Sequence, residues 1–136
     1  SADHLLYVSL KYTKTCDVIL NLIRRWVVMI EHSIDGILAK AKKNKKLKVL
    51  PIAPRQKIEL VKKTFKKTPE IIKVMEMYEF FKRLENLPKE REHEFRKGVK
   101  LRINDNGKEV IVDLEKLKEY AKNLEEFINK VKEYLL

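Results

Sequence analysis

Three groups of side chains in this chain have types and spacings that could do chemistry. The first lies in one long apolar stretch, CDVILNLIRRWVVMIEHSIDGILAKA over residues 16–41, whose polar strip carries Arg24, Arg25, Glu31, His32 and Asp35. Arg25 and His32 are seven residues apart, which on a helix puts them on one side, two turns and roughly 10 Å apart. A histidine beside a fixed arginine could transfer a proton while the guanidinium steadied a developing phosphorane. The same residues would serve equally as a polar seam, or as ion pairs along a bundle's edge. General acid–base work needs converging partners, which the spacing alone does not identify.

The second group is KEREHEFRK over residues 89–97. His93 with Glu90 and Glu94 brings metal-ligand types one turn apart, and Arg96 follows. One histidine without a second histidine-bearing motif is thin for a zinc site, and alternating Glu and Arg is common on a charged helical surface. With Gly36, Gly98 and Gly107 as its glycines, the chain has no glycine-rich phosphate loop, and it has no nucleophile elbow, cysteine metal site or nucleotide fingerprint. The expectation is a protein that works without a metal or cofactor.

The third group is electrostatic. The net charge is +11, and residues 40–67 hold twelve cations (Lys40, Lys42, Lys43, Lys45, Lys46, Lys48, Arg55, Lys57, Lys62, Lys63, Lys66 and Lys67) against Glu59 alone, so the whole excess sits in this segment. Clustered cations bind phosphate backbones by counterion release, with salt-dependent affinity and little demand on sequence. RNA, another polyanion, or simple solvation of a lysine-rich loop all fit such a run.

The elements that must position these groups read mostly as helices. Residues 16–41 place Cys16, Leu20, Ile23, Val27, Ile30, Ile34, Ile37 and Ala41 in a four-three alternation, widened by Ile19, Leu22, Trp26 and Met29. A helix this apolar belongs at the centre of a bundle. Residues 2–15 fit either a first helix or the front of one long helix running into the central one, and a break is placed near the possible caps Thr13, Thr15 and Asp17. Pro54 suits the first turn of a short helix through Lys67, facing Ile58, Val61 and Phe65 inward, and Thr68-Pro69 suits the start of a helix ending or kinking at Pro88. Residues 89–97 should extend that helix by an exposed turn or two.

VKLRIN-DNGK-EVIVD then alternates apolar and polar residues about Asn106-Gly107, a preferred pair for a tight hairpin. A two-residue turn sets Ile103 opposite Val110, Leu101 opposite Val112 and Val99 opposite Leu114, with Lys100 facing Asp113 on the other side. The closing helix, residues 113–135, presents Leu117, Ala121, Leu124, Ile128, Val131 and Leu135, with Asp113 as its cap.

The long helix ending WVVMIEHSIDGILAKA, the charged turn with Arg96, and the final helix LEKLKEYAKNLEEFINKVKEYL together resemble the HEPN superfamily of small helical bundles. The resemblance implies a helical bundle that commonly dimerises and is commonly directed at RNA, as a metal-independent ribonuclease or a non-catalytic binding relative. The family's nuclease motif is an arginine followed four to six residues later by histidine at the start of the last helix. Here Arg96 stands near that place with no histidine after it; His93 precedes it, and Arg25 with His32 lie in another helix.

The 136 residues are expected to form one all-α domain: an up-and-down bundle of four to five helices, with a basic loop and short helix over 40–67, a small hairpin over 99–113 and a closing helix over 113–135. The charged content of 38%, rich in Lys and Glu, with one glutamine and one cysteine, is the bias of proteins from hot environments. The single cysteine, no apolar run long enough to span a membrane and no signal-like leader point to a reducing cytoplasm. The leading functional expectation is a non-catalytic, RNA-associated module. A homodimeric adaptor with Trp26, Tyr78 or Phe80 at its interface, and a diverged ribonuclease using Arg25 and His32 or His93 and Arg96, are the alternatives.

Overall fold

The computed structural model describes residues 15–44, 48–94 and 98–136. The expected helix over 2–15, apart from Thr15, lies outside them together with Lys45, Lys46 and Arg96. The described elements are α1 (Cys16–Lys43), α2 (Pro54–Thr64), α3 (Pro69–Leu84), β1 (Lys89–Glu92), β2 (Lys100–Asp105), β3 (Lys108–Val112) and α4 (Leu114–Leu135). None of these helices is long and apolar enough to cross a membrane.

Local chemistry sets most boundaries. Thr15 caps α1, its hydroxyl oxygen accepting from the Val18 amide at 3.3 Å, and Asp113 caps α4, accepting from the Lys116 amide at 2.8 Å. Proline opens α2 and α3, where its missing N–H has no helical partner to lose. The short helix stops at Thr64, three residues before the expected end, because the Phe65 backbone leaves the helical region.

The core forms around α1. Trp26 is fully buried, its ring stacked 6.3 Å from Phe81 of α3 and edge-on 6.5 Å from Tyr120 of α4, while Phe81 and Tyr120 meet edge to face at 5.1 Å. Ile19, Ile23, Ile30, Ile34 and Ile37 continue the buried stripe along α1. Burying each large apolar side chain is worth about 1.5–3 kcal/mol, against about 0–1 kcal/mol for an exposed ion pair, so packing decides stability here. Trp26 and Tyr78, expected at a dimer interface, are core residues, and Phe80 is 9% exposed. A tryptophan on the widened side of α1 is covered by two other helices and offers no ring to a partner.

The molecule is mostly helical, but the all-α expectation needs correcting. A three-stranded antiparallel sheet, ordered β1-β2-β3, stands between α3 and α4. Its hairpin has the expected register, Ile103 opposite Val110 and Leu101 opposite Val112, and Asn106 and Gly107 take φ of 55° and 95°, as a tight turn requires. The ladder ends at Val112. Leu114 is already helical, so it does not face Val99, and Lys100 reaches Glu92 at 3.5 Å instead of Asp113.

β1 occupies residues expected to prolong α3. Helix α3 stops at Leu84, and Pro88 cannot donate to a helix; its carbonyl accepts from the Asn104 amide at 2.9 Å and starts the pairing of Lys89–Glu92 with the outer edge of β2. Arg102 fixes the three strands together, with both Glu92 oxygens at 3.2 Å on one side and Glu109 on the other. Two more two-pronged clamps sit nearby: Arg24 of α1 holds Glu85, the C-cap of α3, at 2.7 and 3.1 Å, and Arg83 of α3 ties that helix to the sheet through Asp105 at 3.2 and 2.9 Å.

These arginines hold the carboxyls of Glu85, Glu92 and Asp105 below their ordinary values, chiefly through their hydrogen bonds. A depressed carboxyl contributes stability that is present above its unfolded value and lost as pH falls through its folded value. The thermal midpoint should therefore hold from pH 7 to about pH 5 and fall below about pH 4, where free Asp and Glu protonate. Melting curves of the variant Glu85→Gln, Glu92→Gln, Asp105→Asn should show a shallower acid decline than the natural chain.

Candidate nucleic-acid interface

Packing at the far end of the bundle brings helix ends together. An added Cβ on Gly36 would sit 3.9 Å from Leu135, Phe65 and Tyr134 meet edge to face at 5.0 Å, and Lys130 lies 3.8 Å from Glu70. The last turns of α1, α2 and α4 and the first turn of α3 thus share the end opposite the sheet. Lys40, Lys42 and Lys43 stand on the last turn of α1, and Lys63, Lys66 and Lys67 at and just beyond the end of α2.

The fold takes some of the segment's cations out of play. Lys57 pairs with Asp35 at 2.8 Å, Lys62 with Glu79, and Arg55 with Glu59 at 3.7 Å. Asp35 and Glu79 come from α1 and α3, so a count within residues 40–67 could not include them. Among the described residues, Lys40, Lys42, Lys43, Lys48, Lys63, Lys66 and Lys67 have no hydrogen-bond or ion-pair partner. Cations at helix C-termini are favoured by about 0.3–1 kcal/mol each, because the last carbonyls carry partial negative charge. That effect accounts for one or two cations at each terminus and not for the six that stand at the ends of α1 and α2, whose members repel one another.

The histidines separate. His32 lies on the lip of a cleft of about 260 Å³ between α1, α2 and α3, lined also by Val28, Glu31, Asp35, Pro54, Lys57, Ile58 and Tyr78. Tyr78 donates to Glu31 Oε2 at 2.7 Å, and the phenol is pushed up by burial first and then by the Glu31 carboxylate, so it stays a donor. Arg25 is exposed, does not line this cleft and has no partner among the described residues. The spacing that put Arg25 and His32 on one side therefore does not bring them to one site.

His93 sits after β1 in the left-handed region, φ 54°, which histidine tolerates better than most residues, and its side chain is exposed. No three metal-ligating side chains come together among the described residues. Sequence reasoning had the polar strip of Glu31, His32 and Asp35 but missed that Tyr78 and Lys57 complete its cleft. The aromatic at residue 78 read as a packing or interface residue and not as part of a cleft.

Cys16 is buried, its thiol donating to the Lys100 carbonyl at 3.3 Å. Burial, then Glu94, pushes the thiol above its ordinary value, so little nucleophilic thiolate forms at neutral pH.

The arrangement defines a helical protein with a small sheet at one end and a surplus of unpaired lysines at the other. No protein-family model, no curated protein and no solved structure matches the chain. One outcome follows directly from the thiol's surroundings. A thiol–disulfide exchange reagent at pH 8 should leave Cys16 essentially unmodified in the folded protein and titrate one thiol in guanidinium. Rapid reaction in the absence of denaturant would contradict the buried placement.

Proposed function

We propose that this chain is a non-catalytic, nucleic-acid-associated module, directed at RNA, that holds phosphates through the lysines at the end opposite the sheet. The observation that carries the reading is the set of six lysines there without counter-charges, Lys40, Lys42, Lys43, Lys63, Lys66 and Lys67, in a protein whose sheet-end arginines Arg24, Arg83, Arg91 and Arg102 are all paired with carboxylates. Lysine is a compact point charge on a flexible stem, suited to a phosphate backbone whose geometry varies along a single strand. The resemblance to HEPN bundles supports an RNA-directed role without requiring cleavage. Arg25 and His32 stand apart, and His93 faces solvent on a turn.

Exposed Val49 (78%) and Ile52 (91%), on the segment between α1 and α2, favour a second reading in which this segment contacts another protein, a second copy included. Fluorescence anisotropy of a labelled single-stranded RNA separates the two. We expect binding at low salt that weakens steeply as salt rises, each lysine in contact with a phosphate adding about 0.7 to the slope of log affinity against log salt. Changing Lys42, Lys43, Lys63, Lys66 and Lys67 to Ala should flatten that slope and abolish binding at moderate salt, with the RNA intact on a denaturing gel. No binding by the natural chain at low salt would overturn the proposal, and cleaved RNA would transfer it to a ribonuclease.

A further inference from the structure

The cleft between α1, α2 and α3 has a polar arrangement that the core does not need. Its apolar wall is Val28, which is 52% exposed, with Pro54 and Ile58. Of its two carboxylates, Asp35 is occupied by Lys57 at 2.8 Å. Glu31 is not. It takes one hydrogen bond, from Tyr78 to Oε2 at 2.7 Å, leaving Oε1 and a second lone pair of Oε2 without a described partner. A carboxylate has about four acceptor positions, so Glu31 is held in a fixed orientation by Tyr78 with most of its capacity unspent. His32, on the lip of the same cleft, is exposed and unpartnered among the described residues.

A fixed carboxylate is matched by two adjacent parallel N–H donors, as in two-pronged arginine pairs. Among the four RNA bases, only guanine presents that pattern on its pairing edge, as N1–H beside the 2-amino group. Adenine and cytosine set an amino group next to an acceptor nitrogen, which the carboxylate repels, and uracil flanks its N–H with two carbonyls. Single-stranded bases are commonly splayed out, stacked on aromatic or histidine rings and bonded on this edge. We infer that the cleft is a base-reading pocket for an unpaired guanine: Glu31 accepts from N1–H and the 2-amino group, Tyr78 fixes Glu31, and Val28, Pro54 and Ile58 cover the base. This deepens the RNA reading and rests on it for the source of the base. Asp35 lies seven residues before Lys42, so the pocket is roughly 10 Å along α1 from the unpaired lysines. A strand whose phosphates lie on those lysines can reach it with a neighbouring nucleotide.

The test uses nucleosides, which carry no phosphate, beside RNA. The 136-residue chain, labelled with ¹⁵N, is titrated with guanosine, inosine and adenosine. Inosine keeps N1–H and lacks the 2-amino group. Guanosine should shift amide signals around residues 28–35, 54–58 and 78, and bind at least about tenfold more tightly than inosine or adenosine, the discrimination expected of one two-pronged contact. Glu31→Gln, which presents a single acceptor atom, should erase the ranking with the thermal midpoint retained. Tyr78→Phe should weaken guanosine several-fold while keeping guanosine ahead of adenosine.

In parallel, a uridine-only RNA and the same RNA with one guanosine are compared by anisotropy. RNA binding with neither a guanosine preference nor guanosine-induced shifts overturns the pocket and leaves the phosphate reading intact. Guanosine-induced shifts without RNA binding overturn the phosphate reading and leave the pocket. Equal shifts by all three nucleosides overturn the assignment of guanine.

Discussion

The structure depends on the need to cover α1. Its apolar residues occupy most of its girth, and Trp26 alone requires Phe81 from α3 and Tyr120 from α4 to leave water. No single neighbour could bury such a helix, so three others surround it. Length then sets a consequence. At 28 residues α1 runs about 42 Å, while the 22 residues of α4 reach only about 33 Å. Since Gly36 of α1 already meets Leu135 near the end of α4, the last two turns of α1 run past α4 while still keeping Ile37, Leu38 and Ala41 buried. They carry Lys40, Lys42 and Lys43.

The two ends of the molecule use cations differently. At the sheet end, Arg24, Arg83 and Arg102 grip carboxylates with two nitrogens each, joining α1 to the end of α3, α3 to β2, and β2 to β1. Planar guanidinium groups suit that work because their donors are held in one plane. In the basic segment, Lys57, Lys62 and Arg55 pair with Asp35, Glu79 and Glu59, and the cations left unmatched are lysines. Unmatched like charges at close quarters cost stability through mutual repulsion, which the partial charge of helix C-termini offsets only in part. A partner with negative charge would remove that cost.

Features written in neighbouring residues were legible in the sequence. Thr15 and Asp113 as caps, Pro54 and Pro69 as first helical residues, and the register about Asn106-Gly107 each depend on residues within a few positions of one another. β1 was not legible. KERE has no apolar residue to mark a face, and its partner strand lies beyond the following turn, Lys89 opposite Ile103. The cleft was half legible for the same reason. Glu31, His32 and Asp35 share one strip of α1, but Tyr78 is 47 residues from Glu31 and Lys57 is 22 from Asp35. The sheet-end clamps are long-range too, Arg24 and Glu85 being 61 residues apart. Chain connectivity alone gives no sign that these pairs meet.

The account turns on the claim that the lysine end is kept for a negatively charged strand and not for the stability of the fold. The most direct measurement is the thermal midpoint at low ionic strength, with and without a short single-stranded RNA. It would be taken for the natural chain and for a variant with Lys42, Lys43, Lys63, Lys66 and Lys67 changed to Gln. The account predicts that RNA raises the midpoint of the natural chain, since a ligand of the folded state stabilises it. The variant alone should melt at least as high as the natural chain and not respond to RNA. A natural chain indifferent to RNA, or a variant that melts several degrees lower, would contradict it and leave the lysines as supports for the helix ends.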